Sequence, residues 1–211
     1  PYSHLFISND RPIISTRINK IKTTTQNITA TGFPIHNPET APEASRQVME
    51  GMQQKMGFIP NLIQIMAESP ALAHSYLGLW DIATKNGGLS PEELNFVALV
   101  ISEHQKCKYC IAAHSNVADT VAPIENKIVA AIREGRSVEN PRFEALRIFA
   151  IKLYDAQGYV PEPEVNEFIK QGFSRREVLD IVVMIAWKTL SGLTTALTAV
   201  DLDKEFAPYK I

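Results

Sequence analysis

Two cysteines and a histidine lie close together in the middle of the chain, at a spacing that brings them to one side of a helix. The 211-residue sequence contains only two cysteines, Cys107 and Cys110, and His114 follows Cys110 by one helical turn. Residues three, four and seven positions apart share a helix face. Two thiols at this spacing can close a disulfide, and His114 can hold or relay a proton of Cys110. The pattern therefore predicts a redox-active cysteine pair.

The chemistry of such a pair depends on how easily a thiol loses its proton. The thiolate is the reactive form, and it is favoured by a helix N-terminus and by nearby cations. Lys106 and Lys108 flank Cys107. A helix that begins near Cys107 would therefore favour Cys107 as the more acidic thiol, whereas the spacing to His114 favours Cys110.

Two other interpretations fit the cysteines on spacing alone. A structural zinc site usually has four ligands, and completing one here requires Glu103 or His104 in addition to Cys107, Cys110 and His114. The second interpretation is a pair of buried structural cysteines beside a hydrogen-bonded core histidine, since free cysteine is among the most buried residue types.

The elements that carry these residues are predicted to be helices. Apolar side chains recur at helical spacing in segments that begin after proline and end at glycine, an asymmetry typical of helices. These segments are 43–56, 70–87, 124–133 and 141–158. The predicted fold class is all-α, a helical bundle.

Two helix starts repeat the same capping signal. Ser90 with Glu93 and Ser174 with Glu177 each form a predicted capping box, followed by a strongly apolar helix. The two boxes are 84 residues apart. We interpret them as an internal duplication of a helical unit.

The second unit lacks the redox chemistry of the first. In the duplication register, Ser191, Thr194 and Thr198 occupy the positions of the two cysteines and the histidine. The second copy is therefore expected to keep the shape of the first without its thiols.

Composition and charge exclude several function classes. The net charge is −2, from 21 basic and 23 acidic residues, so we expect neither a nucleic-acid partner nor an anionic membrane partner. The apolar stretch 178–187 is interrupted by Asp180 and is too short to span a bilayer. The start of the sequence shows no secretory signal pattern, and we therefore expect a cytoplasmic protein. Residues 1–38 are predicted to be an extended arm, of which residues 1–35 pack on a neighbouring subunit, and 39–211 the helical domain.

The cysteine motif resembles a known superfamily. Cys107-x-x-Cys110-x-x-x-His114, preceded by the capping box at Ser90 and an apolar helix, is similar to the alkylhydroperoxidase D and carboxymuconolactone decarboxylase superfamily. The turn 57–61, which reads GFIPN, and the Glu-Ser-Pro at 68–70 resemble its peroxidase-related branch. The resemblance covers roughly residues 40–200. It implies a helix break near Gln105, a bundle of repeated helical units, and assembly as trimers or hexamers.

The resemblance also implies an activity and a set of site residues. Superfamily members with both cysteines reduce hydroperoxides, whereas the decarboxylases generally lack the pair. Cys110 is then the attacking thiol, Cys107 the resolving thiol and His114 the proton relay. The superfamily commonly places a glutamate twelve residues before the first cysteine, where this chain has Asn95. Glu103 is the candidate for the missing acid, with the alternative that it is a solvated surface carboxylate.

The predicted reaction is a thiol-dependent peroxidase cycle with no bound cofactor. An external dithiol, by resemblance a lipoyl group on a carrier protein, restores the cysteine pair. The alternatives are a thiol-disulfide oxidoreductase or redox sensor without peroxide turnover, and a non-catalytic helical oligomeric scaffold.

Several aromatic residues have the spacing of a channel wall or of core residues. They are Tyr76, Trp80, Phe96 and Trp187. Tyr109, between the cysteines, is expected to point away from their face and is a candidate for an interface contact.

Overall fold

A computed structural model of the chain describes residues 27–211. Residues 1–26, most of the predicted arm, lie outside the described part. In the remainder of the arm, a tight turn is closed by one antiparallel bridge between Ile28 and Pro34. Gly32 adopts φ 86° in this turn, a left-handed conformation that glycine adopts without steric cost.

The described residues fold into α-helices, which confirms the predicted all-α class. No strand occurs between residues 27 and 211. The helices are α1 Glu43–Met56, α2 Asn61–Met66, α3 Pro70–Asn86, α4 Pro91–His104, α5 Lys108–Thr120, α6 Asn126–Arg133, α7 Pro141–Asp155, α8 Glu162–Lys170 and α9 Arg175–Thr198, followed by a 3-10 helix at Lys204–Tyr209. Helix α6 begins two residues later than its apolar pattern indicates, and neither α2 nor α8 was predicted.

The repeated capping boxes lie at equivalent ends of α4 and α9. In each box the serine hydroxyl accepts from the backbone N–H of the glutamate, and the glutamate carboxylate accepts from the backbone N–H of the serine. Arg142 of α7 lies between the two boxes and donates to the carboxylates of Glu93 and Glu177. One guanidinium therefore joins equivalent residues of the two helical units.

Helix α4 forms the centre of the bundle. Its residues from Glu93 to Ser102 are all buried, and it packs against α5, α6, α7 and α9. A helix that is apolar around its whole circumference belongs in a core. Since α4 leads directly into the cysteines, the start of α5 is fixed by the most buried element of the fold.

Helix α9 is the longest helix and carries the opposite wall of the site. By length and composition alone it could cross a membrane, and half of its most apolar window is buried inside the bundle. A core helix of a water-soluble protein meets the same criterion. One face of α9 packs against α2, α3, α4, α5 and α7, and this face holds the polar residues described below.

Replacing Arg142 with Met should destabilise the protein by about 1–2 kcal/mol, because the buried Glu93 carboxylate loses its charged donor. The Glu93 side chain is 10% exposed and the Arg142 side chain 41%, so solvent screens part of the effect. The measurement is the free energy of unfolding in urea. The matched control is Arg136→Met, which removes an exposed pair with Glu134 and should cost less than about 0.5 kcal/mol. Equal losses in the two variants would contradict the bridging role of Arg142.

Candidate active site

The chain breaks between α4 and α5 in a way that places Cys107 at a helix start. Helix α4 ends at His104, and Lys106 adopts the left-handed conformation with φ 56°. The backbone N–H of Cys107 then donates to the carbonyl of Ser102 at 2.9 Å. The break that the superfamily resemblance implied near Gln105 is therefore present, although neither glycine nor proline marks it.

Cys107 is the N-cap residue of α5 and forms a disulfide with Cys110. The two Cα atoms are 5.3 Å apart. The Cys107 Sγ accepts from the backbone N–H of Cys110 at 3.3 Å, and the Thr195 hydroxyl oxygen lies 3.1 Å from the same sulfur. Cys107 is half-buried, whereas Cys110 is buried. The more exposed sulfur is therefore also the one that receives the helix N-terminal donor.

The functional side chains of α5 each face a polar side chain of α9. The two helices run antiparallel at this contact, so residue numbers rise along α5 while those of their partners fall along α9. The pairs are Cys107 with Thr195, Cys110 with Ser191, and His114 with Lys188. We call these six residues the α5–α9 seam. The Ser191 Oγ lies 4.0 Å from Cys110 Sγ, a long contact of the kind that sulfur makes.

His114 is buried and held from both sides. Its Nδ1 is 2.9 Å from Oδ1 of Asn95, and the Asn95 amide N–H donates to the His114 carbonyl at 3.2 Å. This second bond orients the Asn95 oxygen toward the ring, so Nδ1 carries the proton and donates to it. The Nε2 atom is then an acceptor and receives a hydrogen bond from Lys188 Nζ at 3.0 Å.

Lys188 is the residue of the site that sequence reasoning missed. It is 1% exposed, and His114 is its hydrogen-bond partner among the described residues. Burial lowers the pKa of Lys188 from 10.5 to about 7. Burial, and secondarily the charge of Lys188, holds the pKa of His114 well below 6.5. One signal was available, since Lys188 is the only charged residue between Asp180 and Asp201.

Three of the four aromatic residues considered from the sequence form a cluster around Trp187, which contacts His114. The Trp187 ring stacks on Tyr76 at 5.0 Å and packs on Trp80 at 4.8 Å, and the His114 ring lies edge-on to it at 5.5 Å. The buried Nε1 of Trp187 has no partner among the described residues. Phe96 lies elsewhere and packs on Phe143 in the core.

Glu103 lies on a different side of α4 from the seam. Its carboxylate pairs with Lys106 and lies next to Gly135 at the end of α6. No hydrogen bond joins it to Cys107, Cys110 or His114 in the described structure. The Glu103 carboxylate thus contacts Lys106 and lies near Gly135, and its role toward the cysteine pair stays a prediction.

The other sequence candidates beside the cysteines also bind elsewhere. His104 Nε2 lies 2.6 Å from the Asp155 carboxylate of α7. Tyr109 is buried and donates to Asp203 at 2.6 Å, so it anchors α5 within its own subunit. In residues 27–211, no three His, Cys, Asp or Glu side chains group as metal ligands do.

Solved structures of peroxidase-related proteins have the same fold. The alkylhydroperoxidase AhpD core of an uncharacterized peroxidase-related protein from Ralstonia eutropha JMP134 superposes with a TM-score of 0.74 and 24% identity, over 82% of this chain and 93% of that one. An uncharacterized peroxidase-related protein from Silicibacter sp. TM1040 gives 0.71 and 20%, over 88% and 97%. The chain has the AhpD-like fold.

A debrominase also has the AhpD-like fold. Bmp8 superposes with a TM-score of 0.67 and 22% identity, over 82% of this chain and 93% of that one. No protein-family model and no curated protein sequence matches the chain. At these identities the structural likeness defines the AhpD-like fold, and the chemistry has to be argued from the residues of the seam.

The stability of the protein should rise with pH above neutrality, because Lys188 is buried. Its pKa is about 7 in the folded protein and 10.5 in the unfolded chain, so between these values the unfolded state binds more protons. The free energy of unfolding then increases with pH, by up to about 1.4 kcal/mol per pH unit for this group. Urea unfolding of the oxidised protein at pH 7, 8 and 9 measures the slope.

Lys188→Met should remove this part of the slope, since methionine does not titrate. The control is Lys204→Met, whose lysine side chain is 91% exposed and which should leave the slope unchanged. A wild-type slope that Lys188→Met leaves intact would show that another group causes it.

Proposed function

We propose that the protein is a thiol-dependent peroxidase that reduces hydroperoxides through the Cys107–Cys110 pair. The observation that carries this proposal is a disulfide at the N-terminus of α5 that lies one turn from a buried basic pair, His114 and Lys188. A thiolate, a proton donor and a second thiol within disulfide reach are the three groups that such a cycle needs.

In the oxidative half of the cycle, the Cys110 thiolate attacks the distal oxygen of the hydroperoxide. The S–O bond forms and the O–O bond breaks, so the sulfur is oxidised to sulfenic acid and the peroxide is reduced to an alcohol or water. The leaving oxygen takes one proton from the basic pair. Cys107 then attacks the sulfenic sulfur, water leaves, and the disulfide forms.

In the reductive half, an external dithiol attacks the disulfide through a mixed disulfide. Cys107 is the better target because it is half-buried whereas Cys110 is buried. Cys110 then departs as the thiolate beside the basic pair. A lipoyl group on a carrier protein is the proposed reductant, and the cycle needs no bound cofactor.

The identity of the attacking thiol is tested by two serine variants. Cys107→Ser treated with an alkyl hydroperoxide should accumulate sulfenic acid on Cys110, because the resolving thiol is absent. Cys110→Ser should form none at a comparable rate. Trapping with dimedone, followed by mass spectrometry, makes the measurement. Sulfenic acid on Cys107 in the Cys110→Ser variant, at the wild-type rate of peroxide consumption, would reverse the two roles.

The same assay compares Glu103 with the basic pair. Glu103→Gln should keep peroxide turnover within about twofold of wild type, because its carboxylate pairs with Lys106 away from the cysteines. His114→Gln should lower turnover at least tenfold, because the imidazole that bonds Lys188 beside Cys110 is lost. A larger loss in Glu103→Gln than in His114→Gln would restore Glu103 as the relay acid.

The alternatives give different thiol counts. In a peroxidase, two thiols disappear per equivalent of hydroperoxide and a dithiol restores them with repeated turnover. A redox sensor or a thiol-disulfide oxidoreductase loses the thiols without peroxide turnover, and a scaffold has thiols that react only on unfolding. A variant of Bmp8 in which one cysteine is replaced by alanine forms a complex with 2,3,4-tribromopyrrole, so bromide release from this compound belongs in the same panel.

The exposed face of α9 supports assembly into a homo-oligomer, proposed as a trimer or hexamer. Large apolar side chains recur along this face at helical spacing, at Leu179, Val182, Leu193 and Leu197. An apolar stripe of this length is unusual on a monomer surface and is typical of an interface. The opposite face of α9 carries the seam. We place the protein in the cytoplasm, where reducing systems keep a cysteine pair cycling.

Leu193→Glu combined with Leu197→Glu should dissociate the oligomer, because these side chains are 66% and 65% exposed in the single chain and a buried charge opposes association. Light scattering coupled to size exclusion measures the mass. The control is Val121→Glu, which changes a similarly exposed apolar residue at the end of α5, outside the stripe. A wild-type protein that is monomeric would contradict the proposed assembly.

A further inference from the structure

Lys188 is a buried amine whose protonated form has no carboxylate beside it in the described structure. It forms no ion pair in the described structure, and its hydrogen-bond partner is the Nε2 atom of a neutral histidine. A buried ammonium group is normally paired with a carboxylate, because an unpaired charge in the interior is costly. In the oxidised protein Lys188 therefore lies in a site where a nearby negative charge would stabilise its protonated form.

The thiolate form of Cys110 lacks a stabilising partner of its own. It is buried, and burial in apolar surroundings raises the pKa of a thiol. The helix N-terminal donor that could stabilise a thiolate is directed at Cys107 instead, since the Cys110 N–H donates to Cys107 Sγ. Its own nearby polar group is the Ser191 hydroxyl at 4.0 Å. Cys110 therefore needs a cation if it is to be a thiolate.

The exposed lysines next to the cysteines do not supply this cation. Lys106 is 77% exposed on its side chain and pairs with Glu103. Lys108 is exposed. Charges in water are screened and contribute little to a buried sulfur.

The seam places Lys188 about one helical turn from Cys110 along both helices. His114 bonds Lys188 and lies one helical turn from Cys110 on α5, while Ser191 contacts Cys110 and lies one turn from Lys188 on α9. One turn is about 5.4 Å along a helix axis. An opposite charge at about 4–6 Å in a buried site strongly favours an ionised group.

We propose that Lys188 is the charge partner of Cys110: in the reduced protein its amine takes the thiol proton, and the resulting ammonium holds Cys110 as the thiolate. In this step the S–H bond breaks, an N–H bond forms, and no net charge is created. When the thiolate is oxidised by a hydroperoxide, the leaving alkoxide takes a proton from the site and Lys188 returns to the amine. Lys188 thus sets the ionisation state of Cys110. The peroxide step in this account rests on the proposed function.

None of the described groups that face Lys188, apart from the cysteine pair, titrates near neutral pH, so Lys188 is the base that titrates there. From α5 it faces His114 and, beyond it, the cysteine pair. Helix α4 presents the neutral Asn95, and α3 presents Tyr76 next to Trp187, where burial raises the pKa of the phenol. Burial places the pKa of Lys188 near 7 and that of His114 lower.

The test measures the acidity of Cys110 directly. In a Cys107→Ser background Cys110 is the only thiol, and its rate of alkylation by iodoacetamide between pH 5 and 10 gives its pKa. We expect a thiol pKa below the ordinary 8.5 despite burial. Adding Lys188→Met should raise it by at least one unit, so that alkylation at pH 7 becomes about tenfold slower while the rate at pH 10 is unchanged.

Two comparisons make the result specific. Lys106→Met and Lys108→Met in the same background should leave the rate within about twofold, because both lysines are exposed. Lys188→Met should fold, since methionine is an apolar side chain of similar length, and thermal unfolding of the variant checks this. A second test keeps Lys188 unchanged. A Cys110 pKa above 8.5 in the Cys107→Ser protein would overturn the proposal.

The alkylation assay separates this proposal from the proposed function. If the Cys110 pKa shifts in Lys188→Met but the wild-type protein does not turn over hydroperoxides, the charge pairing holds and the peroxidase proposal fails. If hydroperoxides are turned over but the Cys110 pKa is the same with and without Lys188, the peroxidase proposal holds and the charge pairing fails.

Discussion

The hydrogen bond between Lys188 and His114 is the interaction on which the site depends. It joins α5 to α9 at the end of the seam farthest from Cys107, and it holds a buried amine next to the His114 ring. Removing a lysine from water is costly, and the surrounding bundle offsets that cost through the burial of α4 and of the inner face of α9. The bond also fixes the tautomer of His114, because Nε2 must accept and Nδ1 must donate to Asn95.

Local signals predicted the helices, and the long-range pairs across the seam could not be read from sequence. The capping boxes at Ser90 and Ser174 are short-range patterns with a defined geometry, so both are found where expected. Lys188 is 74 residues from His114, and no spacing rule connects them. The Glu103 prediction used distance along α4. The Glu103 carboxylate pairs with Lys106 at the break between α4 and α5, and its role toward the cysteines stays a prediction. Helix α8 was not predicted, although the sequence carries its local signal of apolar residues at helical spacing, at Val165, Phe168 and Ile169.

The presence of Asn95 and Lys188 together gives the site a different electrostatic character from one built on a glutamate. A carboxylate beside His114 would favour the imidazolium and repel a thiolate. An amide leaves the ring neutral, since burial holds the pKa of His114 well below 6.5. Under the charge pairing proposed above, the positive charge of the site then forms on Lys188 of α9, with the neutral His114 between Lys188 and Asn95.

The duplication gives the two helical units different parts in one site. The first unit breaks its helix and contributes the sulfurs and the imidazole, while the second keeps an unbroken helix and contributes two hydroxyls and an amine. The thiols and the imidazole lie in the first unit and the amine in the second, so under the charge pairing proposed for Lys188 a single separated unit would lack one reacting group. Fusion of the repeats into one chain thus keeps the unit with the thiols and the unit with the amine at a fixed one-to-one ratio. In an assembly of identical chains, each subunit would carry its own complete centre.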